Sequence, residues 1–223
     1  MKTVPTLLTI DRFELMDQLE LFQKYYDRIQ IDVADGVIVP NVTTQIDEIT
    51  ELVSKDFLEV NPDVSFDFHL MVKNFKPELD KIADLQKQNI KVNAVLINAS
   101  EKPNIPKLQA LYSFTIGLDI FPAVEIGYID RQYDLKNLSF IQVMTVEPGF
   151  QGSPFIPDML NKITQLREHH YSGEILIDGG VNSITIPQIK SVKNKPDILC
   201  IGSYLTKSGD ELEKRVNGLK ECE

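Results

Sequence analysis

The chain has 223 residues, a length that suits one domain, and no Gly-, Ser- or Pro-rich linker divides it. Its formal net charge of −10 argues against a general nucleic-acid or anionic-membrane binder, because those functions need an excess of Lys and Arg on one face. No segment approaches the ~20 apolar residues of a membrane span, and the two cysteines make no disulfide framework. We therefore expect a soluble, cytoplasmic protein.

Short apolar runs alternate with amphipathic stretches along the whole chain, which is typical of βα units and a parallel sheet. The predicted strands are Val4–Leu8, Arg28–Val33, Ser65–Leu70, Lys91–Ile97, Phe114–Ile120, Phe140–Val146, Glu174–Ile177 and Ile198–Ile201. Eight βα pairs in this length predict an α/β protein with a single (β/α)8 TIM barrel domain over residues 1–223. No Gly-x-Gly-x-x-Gly follows the first strand, which counts against a dinucleotide-binding sheet.

Four candidate functional side chains stand at or near the carboxyl ends of predicted strands. They are Asp32, His69, Met144 and Asp178. Because the active site of a barrel lies at that end of the strands, we expect these side chains to converge. A buried carboxylate is costly without a partner, and two Asp with one His match the ligands of Zn²⁺, Mn²⁺ or Fe²⁺.

A glycine-bearing loop follows the sixth strand and leads directly into a predicted helix. Pro148-Gly149 ends the strand, and Ile156, Met159, Leu160 and Ile163 fall at helical spacing beyond it. A loop of this kind points backbone N–H groups and a helix dipole at one place, which favours an anion such as phosphate. The pattern alone is equally compatible with an ordinary strand-to-helix connection.

The amino-acid sequences of five segments resemble motifs of the ribulose-phosphate 3-epimerase family, and they occur in the same order as in the family. The segments are Ile31-Asp32-Val33-Ala34-Asp35-Gly36 with Val39-Pro40-Asn41, Asp67-Phe68-His69-Leu70-Met71-Val72, Val143-Met144-Thr145-Val146-Glu147-Pro148-Gly149-Phe150, Asp178-Gly179-Gly180-Val181 and Ile201-Gly202-Ser203. The resemblance spans nearly the whole chain and implies an isomerase of carbohydrate metabolism, acting in the pentose phosphate pathway.

The resemblance also implies roles for particular residues. Asp32 and Asp178 are expected to serve both as ligands of one divalent cation (Zn²⁺, Mn²⁺ or Fe²⁺) and as the acid and base that invert C3 of a ketose phosphate. His69 and Gln30 complete the expected metal ligands. The expected substrate-binding residues are Thr9, His69, Met71, Met144, Gly149, Phe150, Gln151, Gly152, Gly179, Gly180, Gly202 and Ser203.

Several positions depart from the family pattern near the same end of the barrel. Gln30 stands where the family has a metal-binding histidine, and a neutral amide is a weaker ligand for zinc. Ala34 replaces a methionine, Gln151 replaces a glycine, and Leu96-Ile97-Asn98 stands where the family has a His and a Glu. Phe121-Pro122-Ala123 replaces a Lys-Pro-Gly.

These departures leave alternatives open. The preferred reaction converts D-ribulose 5-phosphate to D-xylulose 5-phosphate, but the loss of a methionine at Ala34 would enlarge the pocket for a six-carbon sugar, as in the sibling allulose-6-phosphate 3-epimerases. A barrel that binds a phosphosugar without turning it over is the third reading. Apolar residues on the barrel helices lead us to expect a homo-oligomer.

Overall fold

The computed structural model describes residues 1–150 and 152–221, and within them eight parallel strands close into a barrel in sequence order. The strands are β1 (Lys2–Leu7), β2 (Arg28–Ala34), β3 (Ser65–Met71), β4 (Lys91–Asn98), β5 (Thr115–Ile120), β6 (Phe140–Met144), β7 (Glu174–Asp178) and β8 (Ile198–Ile201). The barrel closes where β1 pairs with β8, Lys2 lying opposite Ile198. The predicted (β/α)8 TIM barrel is confirmed.

Helices follow the strands and cover the outside of the barrel. The α-helices are α1 (Arg12–Phe22), α2 (Ile46–Ser54), α3 (Phe75–Lys87), α4 (Ile105–Gln109), α5 (Ile126–Gln132), α6 (Leu160–Glu168), α7 (Ile186–Ser191), α8 (Ser203–Thr206) and α9 (Leu212–Lys220). The side chain of Asp11 caps α1 by accepting hydrogen bonds from the backbone N–H groups of Phe13 and Glu14 at 2.9 and 3.0 Å. None of the helices in the described residues has the length and apolar character that crossing a membrane requires.

Each strand is buried on both faces, which explains why the strands read as continuous apolar runs. The outward-facing side chains pack with the helices into one large core. A second, smaller cluster fills the inside of the barrel with Val4, Leu96, Leu176, Ile198 and Cys200. Since the inside is packed, polar side chains that also point inward must find partners there or at the ends of the barrel.

Candidate active site

Three strands bring Asp32, His69 and Asp178 into one buried cluster near the carboxyl ends of the barrel strands. One possible ligand atom from each residue lies within 4.8 Å of the others, and all three side chains are buried. The imidazole Nδ1 of His69 is 3.1 Å from Oδ1 of Asp32 and 4.0 Å from Oδ2 of Asp178. Two carboxylates and one imidazole at these separations form a donor set that suits a divalent transition metal.

No Lys or Arg neutralises this cluster in the described part of the chain, where the ion pairs of Asp32 and Asp178 are formed with His69. Burial, followed by the nearby charge of Asp32, raises the pKa of Asp178 to about 8. Burial alone would lower the pKa of His69, but the carboxylates of Asp119 and Asp32 more than offset it, and the pKa lies well above its ordinary value. The cluster therefore holds protons tightly unless another cation takes their place.

Gln30 lies beneath the two aspartates and presents its NH₂ group to them. Its Nε2 donates to Oδ2 of Asp178 at 2.8 Å and lies 3.4 Å from Oδ1 of Asp32, while Cys200 donates its thiol to the amide oxygen at 3.5 Å. This orientation is the favourable one, because carboxylates accept hydrogen bonds and the reverse orientation would bring oxygens together. For Gln30 to ligate a cation through oxygen, its amide would have to rotate.

A second amide, which the sequence analysis did not select, also supports Asp178. The Nε2 of Gln142 lies 3.4 Å from Oδ2 of Asp178 and 3.7 Å from the sulfur of Met144. The signal in the sequence is parity: Gln142 and Met144 are two residues apart on β6, so both point into the barrel. Together, Gln30 and Gln142 fix the position of the Asp178 carboxylate.

A cleft opens above the cluster at the carboxyl ends of the strands. Asp32 and Asp178 lie in its wall, as do most of the expected substrate-binding residues: Met71, Met144, Gly149, Phe150, Gly152, Gly179, Gly180, Gly202 and Ser203. His69 and Gln30 are fully buried and do not line it. Of the two other expected positions, Thr9 does not line the cleft and Gln151 falls outside the described residues.

The loop after β7 lines the cleft with two glycines, Gly179 and Gly180, so that its backbone is not covered by side chains there. Gly179 has φ +109°, and a Cβ at this position would lie 2.4 Å from Cγ2 of Val146, so a larger side chain would not fit. The hydroxyl of Thr145 donates to the carbonyl oxygens of Asp178 and Gly179, at 2.9 and 2.6 Å, and ties this loop to the end of β6. Loops after the last barrel strands are where barrels commonly bind phosphate.

The hydroxyl-bearing residue from β1 that lines the cleft is Thr6, whereas Thr9 does not line it. Thr9 is buried beside α2, where its hydroxyl lies 3.2 Å from that of Thr44 and its carbonyl accepts the Thr44 N–H at 2.8 Å. Thr6, in contrast, lies 3.5 Å from Nε2 of Gln30. The alternation of inward and outward side chains from Val4 to Thr6 could have identified it.

Comparison with known proteins agrees with this geometry. A model of the ribulose-phosphate 3 epimerase family matches residues 2–206. The chain belongs to this family. The confirmed membership makes the protein an isomerase by class, as the resemblance implied.

Relatives within the family are distant but match along most of their length. The ribulose-phosphate 3-epimerase of Helicobacter pylori is 29% identical over 217 residues, covering 94% of this chain and 93% of that protein. The protein of the same name from Methanocaldococcus jannaschii is 28% identical, covering 97% and 88%. Among solved structures, 3-hexulose-6-phosphate synthase from Salmonella typhimurium has a TM-score of 0.66 at 13% identity, covering 100% of this chain and 98% of that one. At that identity the structural likeness shows the fold alone.

One family departure behaves differently from the sequence-based expectation. Ala34 is fully buried, is not part of the cleft wall, and packs in a cluster with Val39 and Met71. Leu8 and Phe121 pack against the same cluster. Larger neighbours surround this alanine, so its small side chain does not by itself widen the cleft.

Proposed function

We propose that this protein epimerises C3 of a ketose phosphate, with D-ribulose 5-phosphate and D-xylulose 5-phosphate as the substrate pair. The observation that carries the proposal is the pairing of Asp32 and Asp178 in the wall of one cleft, without a neutralising Lys or Arg in the described part of the chain. Inversion at C3 requires a base that removes a proton from one face and an acid that supplies one to the other. Two aspartates from different strands provide that pair.

The environment of the two carboxylates supports an exchange of roles. The pKa of Asp178 is raised, so Asp178 is suited to carry a proton while the other carboxylate accepts one. In one direction Asp32 removes the C3 proton and Asp178 returns one to the opposite face, and in the other direction the roles reverse. The proton is α to a ketone, so its removal creates an enediolate on the sugar.

The three residues Asp32, His69 and Asp178 would hold a divalent cation next to the reacting carbon. Such a cation, when bound, supplies Lewis-acid stabilisation of the negative charge that develops on the oxygens of the sugar. The donor set fits this group, since two hard oxygens and one imidazole nitrogen lie within 4.8 Å of one another. Gln30 contributes a hydrogen bond that orients Asp178 in the geometry described.

The remaining cleft residues fit the other parts of a phosphosugar. Backbone from Gly179, Gly180 and Gly202, with the Ser203 hydroxyl, provides donors for a phosphate, and the phosphate would account for the bare backbone of these loops. Met71 and Met144 supply apolar, polarizable walls that keep water from the reacting carbon. Nothing about Ala34 favours a six-carbon sugar over a five-carbon one.

Two further expectations remain predictions. A location in the cytoplasm fits the cysteine usage, and a plant relative, from Oryza sativa, is named a cytoplasmic isoform. A homo-oligomer is expected from apolar side chains that remain exposed, among them Ile10, Phe13 and Ile184. Light scattering on the purified chain measures its oligomeric state.

The test is to mix the purified protein with D-ribulose 5-phosphate in D₂O, with and without Zn²⁺, Mn²⁺ or Fe²⁺, and to follow the C3 proton by NMR. Cation-dependent loss of the C3 proton signal with formation of xylulose 5-phosphate is the expected result. Exchange on a hexulose phosphate alone would move the assignment to the sibling activity. Binding of phosphosugar without exchange under any cation would overturn the catalytic proposal.

A further inference from the structure

One carboxylate inside the barrel has no place in the mechanism described so far. Asp119 is fully buried near the end of β5, between Leu118 and Ile120, and it does not line the cleft. It therefore cannot touch a substrate bound there. The sequence analysis did not select it, although a lone Asp in an apolar strand is the kind of residue that needs a partner.

The contacts of Asp119 converge on His69. Its Oδ2 lies 3.1 Å from Nε2 of His69 and accepts a hydrogen bond from Nδ2 of Asn98 at 3.0 Å. The approach to His69 is too bent for a hydrogen bond, so Nε2 has no hydrogen-bond partner in the described residues. The other oxygen of Asp119, Oδ1, is buried without a hydrogen-bond partner among residues 1–150 and 152–221. Strand register explains the arrangement, because Asn98 and Asp119 lie opposite each other on β4 and β5.

Folding alone does not account for this carboxylate. A buried acidic group with one oxygen unpaired costs free energy, and an apolar side chain at the same position would avoid that cost. Its nearest charged partner is a histidine whose opposite ring nitrogen faces Asp32 and Asp178. The two ring nitrogens of His69 thus face different carboxylates: Nε2 faces Asp119, and Nδ1 faces the two aspartates of the cleft wall.

The chemistry of the imidazole gives its two nitrogens different roles. An ionised carboxylate can only accept a hydrogen bond, so a neutral His69 beside Asp119 carries its hydrogen on Nε2. Its lone pair is then on Nδ1, which is the atom in the cluster with Asp32 and Asp178. A carboxylate that holds the far nitrogen of a ligating histidine fixes its tautomer and makes the near nitrogen a better ligand.

We propose that Asp119, held by Asn98, is the positioning residue for His69: it keeps the hydrogen on Nε2 and turns Nδ1 toward the cation held with Asp32 and Asp178. This inference rests on the proposed function, because it assumes that the cluster holds a cation. The site has the neutral Gln30 where the family has a second metal-binding histidine. Asp119 adds a carboxylate behind the histidine that remains, His69. Asp119 thereby raises the affinity of the cluster for the cation.

The test measures cation affinity and the identity of the ligating nitrogen, neither of which requires turnover. Zn²⁺ affinity is measured by competition with a chromophoric chelator for wild type, Asp119→Asn and Asp119→Ala. We expect both variants to bind Zn²⁺ about 10- to 100-fold more weakly. Asp67→Asn is the matched control, since it makes the same change at another fully buried aspartate that does not contact His69.

The ligating nitrogen is identified by ¹⁵N NMR of the chain labelled at histidine and loaded with ¹¹³Cd²⁺. The chain has three histidines, and His169 and His170 follow α6 on the outside of the barrel, so cadmium coupling isolates His69. Wild type should show coupling to Nδ1. Asp119→Asn should show coupling to Nε2 or to a mixture, because its amide can donate to the ring and release the tautomer.

The outcomes separate this inference from the proposed function. Asp119 variants that bind Zn²⁺ like wild type, or a wild-type chain that coordinates cadmium through Nε2, would overturn the role of Asp119 and leave the epimerase proposal intact. A wild-type chain that binds no cation would overturn the metal site and this inference together. A change of nitrogen in Asp119→Asn but not in Asp67→Asn supports the positioning role, because a general loss of packing would not produce it.

Discussion

The buried carboxylates inside the barrel differ in whether a cationic side chain neutralises them. In the amino-terminal half of β3, Asp67 receives a hydrogen-bonded ion pair from Nε of Arg28 at 2.7 Å and a hydrogen bond from Asn93 at 2.8 Å. Near the opposite end, Asp32 and Asp178 receive amide groups and an imidazole, without a Lys or Arg in the described part of the chain. The negative charge of Asp67 is thus neutralised by an arginine, whereas that of Asp32 and Asp178 is not neutralised by a Lys or Arg of the described residues.

This difference separates a structural charge from a functional one. Burial raises the pKa of Asp67, but the Arg28 guanidinium opposes that shift and stabilises the ionised form. Burial and the charge of Asp32 both raise the pKa of Asp178, whereas His69 and the hydrogen bond from Gln30 lower it. A carboxylate that the fold itself neutralises serves the fold, whereas a pair left without a cation is ready to exchange protons or to bind a metal.

The largest effect is expected at the functional end. Asp32→Asn or Asp178→Asn should lower the rate of C3 proton exchange about 10³-fold or more, because either change removes one of the two proton-transferring groups. The fold should survive, since the amide keeps the shape of the side chain and removes a buried charge. Turnover is measured by NMR in D₂O, and heat unfolding confirms that each variant is folded. Wild-type turnover in either variant would refute the two-aspartate assignment.

The same substitution at the structural end should have the opposite profile. Asp67→Asn removes the buried carboxylate that pairs with Arg28, and we expect a loss of about 3 kcal/mol in the free energy of unfolding. The rate of C3 exchange per folded chain should stay within about twofold of wild type, because Asp67 does not line the cleft. Denaturant titration gives the first quantity and NMR the second. A stable but inactive Asp67→Asn protein would show that the two ends are not independent.

A smaller effect is expected from restoring a histidine at position 30. Gln30→His would replace an amide that donates to Asp178 with an imidazole nitrogen that can accept a cation. We expect Zn²⁺ to bind about tenfold more tightly, as measured by chelator competition at constant pH. Gln30→Glu serves as a comparison, since it supplies an oxygen ligand of the same length. Unchanged affinity in both variants would mean that position 30 lies outside the reach of the cation.

The smallest effect concerns pH. The pKa of Asp178 is about 8 in the folded chain against an ordinary value of 3.8, so the folded state keeps a proton that the unfolded state releases. Stability from this group is fully present below about pH 4 and is lost as the pH rises toward about 8. The raised pKa of His69 acts in the same direction, because its stabilising protonated form is lost as the pH passes its folded pKa.

The melting temperature of the cation-free wild type should therefore fall more between about pH 5 and pH 8 than that of Asp178→Asn. Zn²⁺ should stabilise wild type more at about pH 8 than at about pH 5, since its ligands bind in their deprotonated forms. Both trends are read from thermal unfolding at matched ionic strength. Parallel melting curves for wild type and Asp178→Asn across this range would contradict the upward shift at Asp178.

The fold and the central cluster were predictable from the sequence because both depend on local patterns. Each predicted strand boundary falls within two residues of the observed one, since apolar β-branched runs bounded by turns encode buried strands. Parallel strands end at the same edge of the barrel, so placing Asp32, His69 and Asp178 near strand ends is enough to expect that they meet. The structure confirms that these three side chains converge.

The side-chain contacts that the sequence did not reveal join residues on different strands. The pairs Arg28–Asp67 and Asp119–His69 join residues that are 39 and 50 positions apart, and no local pattern identifies them. Thr9 was expected because the resemblance places it at the family's serine after the first strand, whereas the side chain of β1 that lines the cleft is Thr6. Likewise, the orientation of the Gln30 amide follows from the carboxylates above it.

The proposed cation site is tested most directly by counting the cations bound per chain. Purified wild type, Asp67→Asn and Asp178→Asn would each be titrated with Zn²⁺ by calorimetry at about pH 7.5, with bound zinc measured by mass spectrometry after desalting. We expect one tightly bound zinc in wild type and in Asp67→Asn, and none in Asp178→Asn. Equal zinc content in wild type and Asp178→Asn, or no zinc in wild type, would contradict the claim that the Asp32, His69 and Asp178 cluster is the cation site.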